Sequence, residues 1–142
     1  MSGYLLDTNV LSEFSRRGGP DSRVKQWLEA AYSESLFTSV VTLGEIRFGI
    51  ELLHPGKRRT QLERWLAHEL PEWFEDRILP VDKATFDQWG RLRAQAQLQG
   101  RPLPVIDALL AATAFQHRLT LVTRDIGGFS AEGLTVINPW RD

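Results

Sequence analysis

Two periods alternate along the chain. Short apolar runs at 4–6 (Tyr4-Leu5-Leu6), 36–38, 77–81, 120–122 and 134–137 read as buried strands. Between them, apolar residues recur at helical spacing over 10–17, 22–32, 40–53, 57–70, 83–99 and 105–117. The punctuation agrees. Gly18-Gly19-Pro20 stops the first helix, Thr38 or Ser39 caps the third, His54-Pro55-Gly56 closes it, Pro71 breaks the fourth and Gly100 ends the fifth. Arg101-Pro102-Leu103-Pro104 reads as an extended loop. Strands alternating with helices predict an α/β fold: one domain over 1–142, with a central parallel sheet of four to five strands flanked by helices. No internal repeat, low-complexity stretch or linker interrupts it.

Four acids stand out against this pattern. Asp7 ends the first strand and Asp125 follows the strand at 120–122, the end of an open α/β sheet where ligands are held. Asp107 lies near the start of a helix apolar on most sides, Val105 to His117, and a buried Asp needs a partner. Glu45 projects among Val41, Phe48, Gly49 and Leu52 at three, four and seven residues, an apolar stripe. Gly44 and Gly49 each cost about 1 kcal/mol in a helix interior and make sense if something packs closely there. Each acid has an ordinary explanation taken alone: Asp7 as a helix cap, Asp107 as an answer to the helix dipole, Asp125 as a turn residue, Glu45 as a satisfied acid at a core edge. Jointly they predict one acidic pocket. Two carboxylates at ~4 Å repel by about 4 kcal/mol at an effective dielectric near 20, so the pocket calls for a cation.

The composition narrows which cation. There is no cysteine, which excludes thiolate sites and disulfides and suits a reducing, cytoplasmic setting. His54, His68 and His117 lack ligand spacing, so an oxygen-seeking Mg²⁺ or Mn²⁺ fits better than zinc. No apolar run is long enough for a membrane helix, and the first residues lack the order of a signal peptide. The net charge of −1 gives no sign of a polyanion partner, but setting four of the 18 acids aside leaves an excess of three bases.

Leu-Leu-Asp-Thr-Asn-Val-Leu-Ser-Glu at 5–13, Gly-Glu-Ile-Arg-Phe-Gly at 44–49, Ile-Asp-Ala-Leu-Leu-Ala-Ala-Thr-Ala at 106–114 and Leu-Val-Thr-Arg-Asp at 121–125 together resemble PIN-domain nucleases, and among them the VapC and FitB toxins of bacterial toxin–antitoxin pairs. The resemblance runs from near residue 4 to Asn138-Pro139-Trp140. It implies a PIN-like fold, an acidic pocket of Asp7, Glu45, Asp107 and Asp125, and polar support from Asn9 and Thr123. It further implies Mg²⁺- or Mn²⁺-dependent cleavage of RNA, a homodimer and inhibition by a cognate antitoxin. One departure stands: many relatives read Thr-Arg-Asn with an Asp three residues on, whereas here the Asn position is Asp125 and the later acid is Gly128.

On this reading Asp7, Glu45 and Asp107 hold the principal metal, while Asp125 completes a second site or positions the attacking water. Arg47, Lys57, Arg58, Arg59 and Arg124 are candidate contacts to RNA phosphates, though a basic run is as readily a solvated helix start and Arg47 has a rival role pairing with a pocket acid. Trp27, Trp65 and Trp89 read as core. The stretches 22–32 and 57–70 are candidate surfaces for the second copy and the antitoxin. Two alternatives stay open: a Mg²⁺-dependent phosphoryl-transfer domain with Asp7 as nucleophile, and a non-catalytic module that only binds RNA or a partner.

Overall fold

The computed structural model describes residues 3–129 and 133–142. Five strands form one parallel sheet: β1 (Gly3–Leu6), β2 (Leu36–Ser39), β3 (Ile78–Leu79), β4 (Leu119–Val122) and β5 (Val136–Ile137), in the order β3-β2-β1-β4-β5. β1 is central, paired Leu5 to Leu121 and Leu6 to Val122 on one side and Leu5 to Phe37 on the other. Gly3 opens it because a Cβ there would lie 2.8 Å from Leu119 Cδ2.

Alternation along the strands sends neighbours to opposite faces. Leu6, Leu36 and Val122 point into one core with Val10, Ile46, Ile50, Leu70 and Phe74. Leu5 and Leu121 point into the other, with Leu92, Leu110, Ala111 and Phe129. The first face is covered by α1 (Thr8–Leu11), α2 (Ser22–Ala30), α3 (Val40–Glu51), α4 (Lys57–Arg64) and α5 (Leu70–Phe74). The second is covered by α6 (Lys83–Leu98) and α7 (Val105–His117), whose residues from Ala108 to Ala114 are all buried. Burial on both faces explains why the strands read as unbroken apolar runs. Among the described residues no helix is long and apolar enough to cross a membrane.

Several boundaries differ from the sequence expectation; the strand expected at 134–137, for one, is Val136–Ile137, and three other differences have a visible cause. The first helix begins at Thr8 rather than Val10, because Asp7 caps it, and it tightens into a 3-10 turn over Ser12–Ser15. There the buried Glu13 carboxylate accepts the Asp21 N–H at 2.8 Å. Pro71 does not break the fourth helix. A π turn over Trp65–Glu69, in which the Leu70 N–H donates to the Trp65 carbonyl, shifts the hydrogen-bond register, and the chain continues helically to Phe74. The strand at 77–81 is only Ile78–Leu79, since Pro80 has no N–H for the ladder.

Strands β2 and β3 lie to one side of β1, and β4 and β5 to the other. The connections leaving β1 and β4 therefore diverge, and a crevice opens beyond their carboxyl ends.

Candidate active site

Asp7 enters that crevice directly from β1. Its N–H donates to the Val122 carbonyl at 2.9 Å, so the side chain leaves from the last hydrogen-bonded residue of the sheet. Oδ1 accepts the Thr8 N–H at 2.7 Å and Oδ2 accepts the Thr123 hydroxyl at 2.8 Å. Asp7 is thus a helix cap whose second carboxylate oxygen is held from the end of β4, and it is buried. Thr123, fully buried at the end of β4, uses its whole hydrogen-bonding capacity: its hydroxyl donates to Asp7 and accepts from Asn9 Nδ2 at 3.2 Å and the Asp125 N–H at 3.1 Å. Asn9 Oδ1 accepts the Arg124 N–H at 3.3 Å. These bonds lock the turn after β1 to the turn after β4.

Glu45 comes from α3, whose N-terminus is capped by Ser39: the Ser39 hydroxyl accepts the Val41 N–H at 3.0 Å. Its Oε1 accepts the Thr8 hydroxyl at 2.6 Å. The stripe assigned to it needs correction. The buried face of α3 is Thr42, Ile46 and Ile50, whereas Phe48 and Leu52 are 68% and 71% exposed. Among the described residues nothing beyond the helix's own backbone and the adjoining residues lies within 4 Å of a Cβ at Gly44 or Gly49, so none of them packs closely there.

Asp107 projects half-buried from the first turn of α7. The entry to that helix is pinned by α6: the Trp89 indole N–H donates to the Val105 carbonyl at 3.1 Å and Arg93 Nε to the Leu103 carbonyl at 3.2 Å. Asp125 turns its carboxylate back over its own loop, where Oδ1 accepts the Gly128 N–H at 3.1 Å.

The electrostatics tie the four acids together. Burial first, then the charges of Asp7, Asp125 and Glu45, push the Asp107 carboxyl up to about 6. Burial likewise raises Asp7 against the lowering effect of the Thr123 and Thr8 hydrogen bonds, and Glu45 and Asp125 add to the rise. Carboxylates from two strand ends and two helices thus share one field. Among the described residues no three of them close into a ready-made metal shell. The donor set nonetheless fits a hard divalent cation that keeps several of its waters: all oxygen, no imidazole, and a mutual repulsion that added positive charge relieves.

The basic residues are differently disposed. Arg47 pairs with Glu51 at 3.7 Å and Glu63 at 3.8 Å rather than with a pocket acid. Arg59 pairs with the same two, at 2.8 Å and 3.7 Å, forming a lattice between α3 and α4. Arg58 donates to the Ser15 carbonyl. The Arg124 guanidinium lies 5.2 Å from the centroid of Trp140. Lys57 is exposed and, among the described residues, in no ion pair. Trp27 meets Tyr4 edge-on and Trp65 packs beside the first core, as the helical patterns indicate.

Two contributors carry no role in the sequence reading. Thr8 bridges Asp7 and Glu45, and its only signal is its place between two motif residues. Asn138 is buried, donates from Nδ2 to the Arg124 carbonyl at 3.2 Å and accepts the Trp140 N–H at 2.9 Å, so Asn138-Pro139-Trp140 fastens the β4 loop.

Comparison with known proteins bears on the same residues. The PIN domain family matches residues 4–131. Toxin FitB of Neisseria gonorrhoeae is 40% identical over 138 residues, 97% of this chain and 99% of FitB. The VapC ribonuclease Y4jK of Sinorhizobium fredii is 39% identical over 136 residues, 96% of each chain. The crystal structure of FitAcB from Neisseria gonorrhoeae superimposes with a TM-score of 0.90 at 39% identity, over 98% of this chain and 99% of that one.

Proposed function

The chain belongs to the PIN-domain family, and from that membership we propose that it is a Mg²⁺- or Mn²⁺-dependent endoribonuclease, the toxin of a cytoplasmic toxin–antitoxin pair. One observation supports the reading: hydrogen bonds from Thr8 and Thr123 link Asp7 at the end of β1 to Glu45 of α3 and to the Asp125 turn after β4, the arrangement a shared acidic pocket requires. When bound, the cation supplies Lewis-acid chemistry, withdrawing charge from the scissile phosphate and acidifying the attacking water. Asp7, Glu45 and Asp107 would hold it, and Asp125 would orient the attacking water or contribute to a second site. Thr8, Asn9 and Thr123 fix the carboxylates without adding charge. Lys57, standing free of ion pairs among the described residues, is the readiest phosphate contact; Arg47, Arg58, Arg59 and Arg124 must first give up present partners.

The protein partners follow from uncovered apolar surface. A groove of about 350 Å³ lined by Leu11, Phe14, Trp65, Leu70, Trp73 and Phe74 continues the 57–70 stretch and suits an antitoxin segment. The exposed Phe48 and Leu52 of α3 suit a second copy.

The reading is tested by incubating a mixed RNA pool with purified protein in Mg²⁺, Mn²⁺ or chelator, beside Asp7→Asn and Asp107→Asn. Metal-dependent cutting lost in both variants is expected. Intact RNA with a phosphorylated Asp7 would instead favour phosphoryl transfer, and RNA binding unaltered by both substitutions without any cutting would favour a binding module.

A further inference from the structure

Asp125 is the acid whose place departs from the pattern of the resemblance, and its surroundings contain a second unusual feature. Gly128 is not needed for its backbone conformation, since its φ lies outside the left-handed region. It is needed for volume. A Cβ at 128 would stand 2.5 Å from Asp125 Oδ2, 3.0 Å from its Cγ and 3.2 Å from its Oδ1. All three are atoms of one carboxylate, and among the described residues, chain neighbours aside, they are the nearest to that Cβ. The Gly128 N–H meanwhile donates to Asp125 Oδ1 at 3.1 Å. Any side chain leaving residue 128 must therefore enter the volume that the Asp125 carboxylate fills.

We infer that positions 125 and 128 are alternative sources for one carboxylate place at the pocket's edge, and that glycine at 128 is what allows Asp125 to supply it. The inference rests on the nuclease reading above and assigns Gly128 as a positioning residue. It explains the departure at Gly128: an acid at both positions would set two carboxylates in one place. It also gives the Asp125 side chain a cause for its orientation. The Gly128 amide holds one oxygen, and the Asp125 N–H is held by Thr123.

Gly128→Ala is a selective probe. The displaced atoms belong to the end of a rotatable side chain, so the fold can absorb the methyl group while the carboxylate cannot stay. The experiment compares wild type, Gly128→Ala, Asp125→Asn and the exchange variant Asp125→Gly/Gly128→Asp, which leaves no side chain at 125 to fill the same volume. Each is measured for Mn²⁺ affinity by titration calorimetry, for cleavage of the RNA pool, and for thermal melting. Gly128→Ala and Asp125→Asn are each expected to melt near wild type and to lose about tenfold in Mn²⁺ affinity and in cleavage, the scale of a disturbed supporting group. The exchange variant is expected to recover most of both, which a merely structural Gly128 would not produce.

Gly128→Ala equal to wild type in affinity and cleavage overturns the inference. So does a folded exchange variant no better than Asp125→Asn. Should the exchange variant melt early, Asp125→Ala/Gly128→Asp is read by the same criterion. A wild type that neither binds Mn²⁺ nor cuts RNA overturns the nuclease reading and this inference together. A wild type that does both, with Gly128→Ala unchanged, overturns only the latter.

Discussion

At the scale of single residues, the pocket is assembled by groups that never carry charge. Thr8 is the clearest case, since its N–H and hydroxyl reach Asp7 and Glu45 at 2.7 and 2.6 Å. Thr8→Val keeps the shape and the N–H but frees the Glu45 carboxylate. It is expected to lower divalent-ion affinity by about tenfold with little change in melting temperature, as calorimetry and a thermal melt would report. Asp107 gives a prediction of opposite sign for stability. Its carboxyl titrates at about 6 when folded against an ordinary 3.8, so the native state holds the extra proton between those values. Stability of the metal-free protein should therefore fall as pH rises from about 4 to 6 and stay low above it, and Asp7 contributes in the same direction. Asp107→Asn removes the repelling charge. Discounted for solvent screening, it should stabilise metal-free protein at pH 7 by about 1 kcal/mol, roughly 2–4 °C in a melt, while weakening Mn²⁺ binding. Wild-type Mn²⁺ affinity should rise with pH through about 6 as that proton is lost. Asp7 and Asp107 stood out in the sequence because a carboxyl in an apolar pattern is anomalous, whereas Glu45 stood out for a stripe whose Phe48 and Leu52 are exposed. Thr8 and Asn138 did not, because a hydroxyl and an amide at turns look ordinary until their distant partners, Glu45 and Arg124, are known.

At the scale of elements, propensity placed most helices well and packing decided the exceptions. Pro71 is tolerated because the π turn ahead of it has already altered the hydrogen-bond register, an adjustment with no composition signature. On α3 the apolar positions surround the helix, so period alone could not say which face is buried; the Thr42, Ile46 and Ile50 stripe wins because it meets the core beneath β2. Arg77 was read only as the start of a strand. It donates to the carbonyls of Ser33, Leu36 and Trp73, and its guanidinium lies 5.1 Å from the Trp73 ring centroid. It therefore ties the end of α5 to the approach to β2. Arg77→Ala is expected to cost about 2–4 kcal/mol in a urea titration, by leaving carbonyls without their charged donor. Arg77→Lys should recover only part, because an ammonium cannot span three carbonyls with a planar fork. RNA cutting per folded molecule should be unchanged, since the contact lies away from the acids.

At the scale of the molecule, strand order explains why the acids meet. Chain separation between Asp7 and Asp125 is large, but β1 and β4 are neighbours and their exits diverge, so two strand ends come together at one crevice. The alternation of strands and helices announced a parallel sheet, while the order of its strands was not encoded in any local pattern. That architecture sets a problem of charge. On the proposed function a phosphate backbone enters a pocket lined by carboxylates on a chain of net charge −1, so without a cation the pocket would repel it. Affinity for a short, uncleavable RNA should accordingly be weak in chelator and rise when Ca²⁺ or Mn²⁺ is supplied. The variant Asp7→Asn/Asp107→Asn lowers the pocket charge by design. In chelator it is expected to bind that RNA roughly three- to tenfold tighter than wild type, and the advantage should vanish once metal is added to both. Fluorescence anisotropy at fixed ionic strength would measure it. Equal binding by the two proteins in chelator would mean that the phosphate path does not cross the acids, and would move the RNA site toward Lys57 and the start of α4.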